Sequence, residues 1–416
     1  MKRIVIVLSA FVALMFMLTF TGYGSSKNVV LNFYYWDENQ KPAMDQIIKD
    51  FEKRNPGIAI KSTVIPWDQY WMKIQTSLPT SSGPDILWLN GINAPKYMSV
   101  GLILNLQKYI DKEKTDLSNF PDSLKKIYSL NGKLYAIPKD YDTIALLYNK
   151  QCFDEAKVPY PTDDWTWDDL LAAAQKLTLK NEDGSVKQWG YYCLPSIQGG
   201  VADAIYQNAG QIYNKDLTKA VINSPENVET VQFLVDLMYK YKVSPNGAQQ
   251  KDIDYLKAFS SGQVAMYNDG SWMINDYSKV LGDKLGVAAL PYRKQRATII
   301  HGLGFAASAK TKYPNQAWKF LKFLATKEAG LYQAKAVIPA YKGAETQWIQ
   351  NFPAVSNVKV FIDETKYAFP LPVSSKNSAA VWSALDNELQ NIWLKTKDVA
   401  TGLADAQKAM NNEMNK

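Results

Sequence analysis

The amino-acid sequence predicts an α/β protein built of two lobes. Roughly 390 residues are left once an amino-terminal leader is removed, which is more than one hydrophobic core usually holds. The amino-terminal half alternates strand-like and helix-like segments. Strand–helix–strand alternation is typical of parallel sheets with right-handed crossovers. Because no long Pro/Gly-rich tether interrupts the chain, we expect the lobes to be joined by short crossings.

The first elements follow from local pattern. Residues 29–36 (VVLNFYYW) are rich in β-formers and predict a strand. The next segment predicts a helix that ends at Asn55-Pro56-Gly57. It carries apolar residues at helical spacing: Met44, Ile47, Ile48 and Phe51. The segments IAIKSTVIP and SGPDILWLN predict the second and third strands, with a helix around DQYWMKIQTSL between them.

Three further patterns predict local structure. NGKLYAIP is typical of a hairpin that turns at Asn131-Gly132. In WTWDDLL, Thr166 and Asp169 have the spacing of a helix capping box. In NQAWKFLKFL, Trp318 extends a stripe of buried residues at helical spacing.

The chain begins with the pattern of a secretory signal peptide over residues 1–24. Lys2 and Arg3 precede an almost wholly apolar run, and Gly22 and Gly24 stand at −3 and −1 to a cleavage before Ser25. The alternative is a retained anchor, but the run is slightly shorter than the roughly 18 residues of a spanning helix. We therefore expect an exported protein.

Composition argues against several classes of function. The formal charge is +7, and basic residues alternate with acids, so no nucleic-acid surface is indicated. Two cysteines and the single histidine, His301, cannot build the usual zinc sites, and no metal or cofactor is expected. Cys152 and Cys193 form either a disulfide, which an exported protein can make, or two separate buried thiols.

Aromatic residues point to a ligand class. The sequence has 12 Trp and 25 Tyr, and several lie beside turns and polar residues, where core packing explains them less well. Their rings offer a flat apolar face and a polar edge. A sugar ring has an apolar C–H face and a rim of hydroxyls, so the two surfaces match.

Five motifs in order resemble the extracellular solute-binding proteins of bacterial ABC importers, specifically the large, maltose-binding-protein-like sugar-binding group. They are SSGPDILWLN, NGKLYAIPKDYDTIALLYNK, FSSGQVAMYNDGSWMIND, GLGFAASAKTKYPNQAWKFLKFLATKEAG and VIPAYKGA. The resemblance extends over nearly the whole mature chain. It implies two lobes, each a mixed, mainly parallel sheet flanked by helices, joined by a hinge of three crossings. It also implies a monomer without catalysis that closes around a carbohydrate and delivers it to membrane permease subunits.

The resemblance also sets the lobe boundaries. The N-terminal lobe is expected to comprise 25–139 and 299–340, and the C-terminal lobe 140–298 and 341–416. Many members of the family are lipoproteins. Here Phe20-Thr21-Gly22 has the form of a lipobox, but Tyr23 stands where the lipidated cysteine would be. We therefore expect a secreted protein without a lipid.

Candidate ligand residues fall at strand ends and crossings. By resemblance, Trp272 supplies a stacking platform, with Gly270 allowing close approach. The others are predicted from their places at the carboxyl edge of the sheet or in the C-terminal part: Trp36, Asp37, Trp67, Asp68, Asn90, Tyr141, Asp142, Tyr341 and Trp382. His301 is a weaker candidate. For each, the alternative is a helix cap or a packed aromatic.

Two other functions stay open at this point. One is a secreted carbohydrate-active enzyme, since the acids of YPTDDWTWDDLL can be drawn as a carboxylate pair. The other is a solute-binding protein for a non-sugar ligand, such as a polyamine, an anion or iron. A dinucleotide site at Gly302-x-Gly304 is rejected, because no helix is predicted directly after those glycines.

Overall fold

The computed structural model of the chain describes residues 29–373 and 377–416. The predicted signal peptide and Tyr23 lie outside the described residues. Within those two ranges, no helix is both long enough and apolar enough to cross a bilayer.

The described strands are β1 Val29–Tyr35, β2 Ile58–Val64, β3 Ile86–Asn90, β4 Ser129–Leu130, β5 Lys133–Leu134, β6 Ala136–Pro138, β7 Asp142–Asn149, β8 Leu179–Lys180, β9 Val186–Gln188, β10 Met266–Gly270, β11 Leu285–Ala288, β12 Thr298–His301, β13 Leu303–Ala307 and β14 Ala368–Pro370. The described α-helices are α1 Lys41–Arg54, α2 Trp67–Ser77, α3 Ala94–Ser99, α4 Gln107–Glu113, α5 Asp122–Ile127, α6 Lys150–Ala156, α7 Trp167–Leu177, α8 Ala202–Gln207, α9 Pro225–Tyr239, α10 Tyr255–Ser260, α11 Ile274–Leu281, α12 Pro314–Leu324, α13 Lys327–Gln333, α14 Glu345–Gln350, α15 Val360–Asp363, α16 Ser378–Trp393 and α17 Val399–Met414. Short 3₁₀ turns occupy Glu38–Gln40 and Ser271–Met273, among others.

Two five-stranded sheets organise the chain, one in each lobe. The first has the order β2-β1-β3-β13-β6. The second has the order β10-β7-β12-β14, and β11 pairs with β7 along the same edge as β12. The predicted two-lobed α/β architecture is confirmed.

The direction of pairing differs from the expected mainly parallel sheets. β1 is parallel to β2 and β3, but β13 runs antiparallel to β3 and β6. In the second sheet β7 is antiparallel to β10, β11 and β12, and only the β12–β14 pair is parallel. This difference arises from the crossings between the lobes. β7 and β13 each begin at the hinge, whereas the strands beside them, such as β12 and β3, end there, so the paired strands run in opposite directions.

Each sheet is covered by helices. The first sheet packs into one core with α1 and α12, centred on residues such as Phe33, Trp88 and Phe320. The second sheet separates two cores. All eight residues of β7 are buried, and Ile144 and Leu146 pack into one core whereas Ala145 and Leu147 pack into the other. This alternation is what a strand covered on both faces requires.

Three crossings join the sheets and are bonded to one another. Residues 139–141 link β6 to β7, Gly302 alone links β12 to β13, and the third crossing passes near Pro339. Asp140 lies at their centre: it forms a β-bridge with Pro339, and its Oδ1 accepts from the Leu303 amide at 2.7 Å. A Cβ on Gly302 would lie 2.1 Å from the Asp140 carbonyl oxygen, which explains the glycine.

Strand pairing bears on the predicted lobe boundaries at two points. Residues 299–301 were expected in the N-terminal lobe, but they lie in β12, whose backbone pairs with β7 and β14 of the second sheet. Tyr341 was expected in the C-terminal lobe, but its ring packs on Phe120 of the first core at a centroid distance of 5.6 Å. The chain leaves each sheet at the last hydrogen-bonded residue, which sequence pattern does not mark.

Several local predictions are confirmed. Asn131 and Gly132 both have positive φ, 51° and 71°, in the hairpin turn between β4 and β5. Thr166 and Asp169 form the capping box of α7. Trp318 is 1% exposed. Cys152 and Cys193 are buried and unbridged, and burial raises the pKa of both thiols.

Candidate functional site

An aromatic cluster covers the carboxyl end of β1 in the first lobe. The ring centroid of Trp36 lies 5.2 Å from Trp67, 4.8 Å from Tyr70 and 5.2 Å from Trp88. Trp67, at the start of α2, is 53% exposed, whereas Trp36 is half-buried. The Trp67 ring is therefore exposed to solvent on one side and packs against Trp36 on the other.

Polar candidates of the first lobe also have local roles. Asp37 caps the Glu38–Gln40 turn, since its two carboxylate oxygens accept from the Asn39 amide and from the Gln40 side chain, each at 2.8 Å. The Asn90 side-chain oxygen accepts from the Asn93 backbone at 3.0 Å. Asp68 lies exposed in the first turn of α2. The alternative of a cap is therefore met by Asp37.

Trp272 is the main aromatic candidate of the second lobe. It lies on the 3₁₀ turn after β10, is half-buried, and packs against His301 at a centroid distance of 5.2 Å. A Cβ on Gly270 would lie 1.9 Å from the Trp272 ring. A side chain at position 270 would therefore collide with the Trp272 ring. The glycine is explained by this packing, whereas the sequence analysis explains it by close approach to a ligand.

Asp142 and His301 meet beside this ring, although they are far apart in sequence. They are paired residues on β7 and β12, and His301 Nδ1 lies 3.9 Å from Asp142 Oδ2. The Ser271 hydroxyl donates to Asp142 Oδ1 at 2.6 Å. On its other side His301 Nε2 lies 2.7 Å from the Gln198 side-chain nitrogen.

Burial governs the charge of this pair. Desolvation, then the negative charge of Asp140, raises the pKa of Asp142 to about 8, and Asp37 of the first lobe adds to the effect. Desolvation lowers the pKa of His301 to about 4. Both side chains are therefore uncharged near neutral pH and can exchange hydrogen bonds with neutral hydroxyl groups.

Replacing Asp142 with asparagine is expected to remove a fall of stability that the wild type shows as pH rises from about 4 to about 8. The pKa of an unfolded aspartate is about 3.9, so between that pH and about 8 the folded chain holds a proton that the unfolded chain has lost. Stability therefore falls as pH rises through this range, by up to about 1.4 kcal/mol per pH unit for one such group. The opposite contribution of His301 is complete above about pH 6.5.

The measurement is urea unfolding between pH 6.5 and 8.5 for the wild type and the Asp142→Asn variant. Asp203 and Asp269, whose pKa values burial raises to about 7, stay in both proteins, so they cancel in the comparison. Replacing the exposed Asp216 with asparagine serves as the control. Equal slopes in wild type and Asp142→Asn would contradict the assignment.

The remaining candidates lie around the hinge and in the second core. Tyr141 lines a pocket between the lobes with Pro121, Pro339 and Glu345, and burial raises the pKa of its phenol. Tyr341 lies two residues after Pro339 of the third crossing, and its ring packs on Phe120. Trp382 is 7% exposed, and its indole donates to the Pro372 carbonyl at 3.3 Å, so most of its ring belongs to the core.

Gln198 and Ser271, which contact His301 and Asp142, are not among the site residues that the sequence predicts. Gln198 lies on a distorted turn, Ile197–Val201, in which Gly200 has a φ of 149°. The Gly199-Gly200 pair was a usable signal, since only glycine takes that conformation readily. Nothing local marks Ser271 or His301, because their roles depend on Asp142. Among the described residues, no group of three or more His, Cys, Asp or Glu is placed to hold a metal.

Two lobes joined by three short crossings, with aromatic and carboxylate side chains at strand ends beside those crossings, are the architecture of a solute-binding protein. The chain belongs to the family of bacterial extracellular solute-binding proteins, whose sequence model matches residues 46–357. Membership in this family confirms the predicted resemblance and implies export.

Relatives and solved structures agree on this class. The multiple sugar-binding protein of Streptococcus mutans is 26% identical over 90% of this chain and 89% of its own. The galactooligosaccharide-binding protein of Bacillus subtilis is 24% identical over 90% of this chain and 86% of its own. An ABC substrate-binding protein from Listeria monocytogenes, solved with cycloalternan, is 28% identical with a TM-score of 0.86, covering 93% of this chain and 99% of that one.

Proposed function

We propose that the chain binds an oligosaccharide between its lobes, closes around it without altering it, and delivers it to the permease of an ABC importer. A ligand that contacts both lobes only when they are closed favours the closed state by its differential affinity. The closed shape is then the form that the permease recognises.

The observation that carries the proposal is the packing of Trp272 against the buried Asp142–His301 pair at the lobe boundary. The tryptophan ring offers an apolar face beside Asp142 and His301, whose side chains can donate and accept hydrogen bonds. A sugar presents the same two kinds of surface. The first lobe approaches this pair, since the Asn39 side chain donates to Asp276, four residues after Trp272, at 3.0 Å.

The names of the similar proteins support a sugar. They include binding proteins for multiple sugars, galactooligosaccharides and arabinooligosaccharides, and a structure with a cyclic saccharide. An oligosaccharide needs several platforms, and Trp36 with Trp67 supplies a second aromatic surface.

The proposal extends to the site and the lobes. The proposed ligand residues are Trp36, Asp37, Trp67, Asp68, Asn90, Tyr141, Asp142, Trp272, Tyr341 and Trp382. The proposed lobes are 25–139 with 303–340 and 140–301 with 341–416, and the Tyr341 ring packs on the first of them. We further propose a monomer that works outside the cytoplasm without a lipid, since Tyr23 has no thiol to acylate.

Thermal unfolding of residues 25–416 with a panel of mono- and oligosaccharides tests the proposal. A ligand that binds only the folded state raises the midpoint of unfolding, and 100-fold excess over Kd adds about 2.7 kcal/mol of stability. We expect a rise with one class of oligosaccharide, recovered intact afterwards. A sugar recovered in fragments would indicate an enzyme. No rise with any sugar would contradict a carbohydrate ligand and direct the search to polyamines and anions.

A further inference from the structure

We propose that Asn39, Asp276 and Lys279 form a latch that holds the two lobes closed and so sets how tightly the site retains its ligand. The Asn39 side-chain nitrogen donates to both carboxylate oxygens of Asp276, at 3.0 and 3.2 Å. The Lys279 ammonium donates to the Asn39 side-chain oxygen at 2.8 Å. One asparagine of the first lobe therefore satisfies an acid and a base of the second lobe at once.

The hydrogen-bonding groups of Asn39 are complementary to those of Asp276 and Lys279. Asp276 and Lys279 are three residues apart on α11, with their charged atoms 3.8 Å apart. They therefore present an acceptor and a donor side by side, and an asparagine amide offers a donor and an acceptor at the same spacing. Aspartate at position 39 could not donate to Asp276, and alanine could make neither bond.

Each half of the latch is carried by an element that also carries a proposed ligand residue. Asn39 lies on the turn that Asp37 caps, directly after Trp36 at the end of β1. Asp276 lies four residues after Trp272, at the start of α11. A ligand that draws Trp272 and the β1 end together therefore also brings the latch residues within bonding distance.

A second contact shows that the lobes meet elsewhere along the same boundary. Ile92, which follows β3 in the first lobe, packs against the core of the second lobe. This contact is apolar and lacks directional bonds. The latch adds directional bonds to the closed contact at an accessible place, since the Asp276 side chain is 45% exposed and that of Lys279 is 63% exposed.

Partial exposure limits the size of the effect. Charge-assisted bonds at such a site contribute about 1 kcal/mol net, which corresponds to roughly a fivefold change in the closed-to-open ratio. The loss should appear mainly as faster ligand release, because reopening is what the latch opposes.

The test measures the closed-to-open ratio by single-molecule energy transfer between dyes on Lys53→Cys and Lys176→Cys, exposed sites on α1 and α7. Cys152 and Cys193 are buried with raised thiol pKa values, so labelling is directed to the introduced cysteines. Asn39→Ala and Lys279→Met are expected to lower the ratio about fivefold. The double variant should lose little more than Asn39→Ala alone, since both act through one contact.

Lys41→Met is the matched control. Lys41 pairs with Asp45 within α1, close to Asn39 in sequence, but the pair lies wholly in the first lobe. An unchanged ratio in Asn39→Ala, or an equal fall in Lys41→Met, would overturn the latch.

The experiment is run on the free chain and again with the sugar found by thermal unfolding, and only this second arm rests on the proposed function. If no sugar binds the wild type, the proposed function fails, and the free-chain ratio still decides the latch. If a sugar binds and Asn39→Ala releases it at the wild-type rate, the latch fails while the proposed function stands.

Discussion

Replacing Lys139 with methionine is expected to remove about 3–5 kcal/mol from the free energy of unfolding. The Lys139 ammonium pairs with the Asp140 carboxylate, and both side chains are at most 1% exposed. The ammonium also lies 4.3 Å from the centre of the Trp88 ring. Methionine fills a similar volume but leaves the charge of Asp140 buried without its partner.

A second variant separates the loss of an ion pair from a packing defect. Lys139→Met combined with Asp140→Asn removes both charges and keeps an oxygen that can accept from the Leu303 amide. We expect the double variant to recover most of the stability in urea unfolding. If the single variant unfolds at the wild-type urea concentration, or the double is no more stable than the single, the ion pair does not stabilise the hinge as argued.

Replacing Trp272 with alanine is expected to weaken sugar binding by roughly 1–3 kcal/mol, because a buried aromatic anchor carries that much of an interface. The ring packs against His301 beside Asp142. Its loss should remove the apolar surface on which the sugar is proposed to stack and expose these polar side chains to water. Calorimetric titration with the bound sugar gives the affinity, and unfolding of the same variant checks the fold.

Tyr160→Ala provides the comparison for Trp272→Ala. Tyr160 is an exposed aromatic of the same lobe, bonded to Asp154 and remote in sequence from every candidate ligand residue. Its replacement should leave affinity unchanged. A folded Trp272→Ala variant that binds as tightly as the wild type would remove Trp272 from the site.

Local pattern accounts for much of the fold. The strand over 29–36 and the following helix appear as β1 and α1, because their apolar spacing matches the faces that are buried. The turn at Asn131-Gly132 and the cap at Thr166 were readable since only a few residues satisfy those conformations. Pairing direction was not readable, because it depends on where the chain crosses between lobes, and Gly302 is a crossing of one residue.

The candidate site divides in the same way. Trp36, Trp67 and Trp272 were found because tryptophans beside strand ends are visible in the sequence, and their contact with ligand stays a prediction. The Asp142–Ser271–His301 group was not found as a unit, since its members lie up to 159 residues apart and β7 alone brings them together. Asn39 was invisible for a stronger reason: its partners are on the other lobe.

The position of β13 has a consequence for how this chain is made. In the first sheet β13 lies between β3 and β6, although it follows them by more than 150 residues. The amino-terminal lobe therefore cannot complete its sheet until synthesis has passed Ala307, and until then the edge of β3 has no neighbour. Strand pairs so distant in sequence form slowly, because the chain loses the entropy of closing a long loop before the stabilising contacts between the strands are made. The β3 edge therefore stays unpaired in the nascent chain until most of its length has been made, and the amino-terminal lobe is completed by a strand that also lies directly beside the hinge.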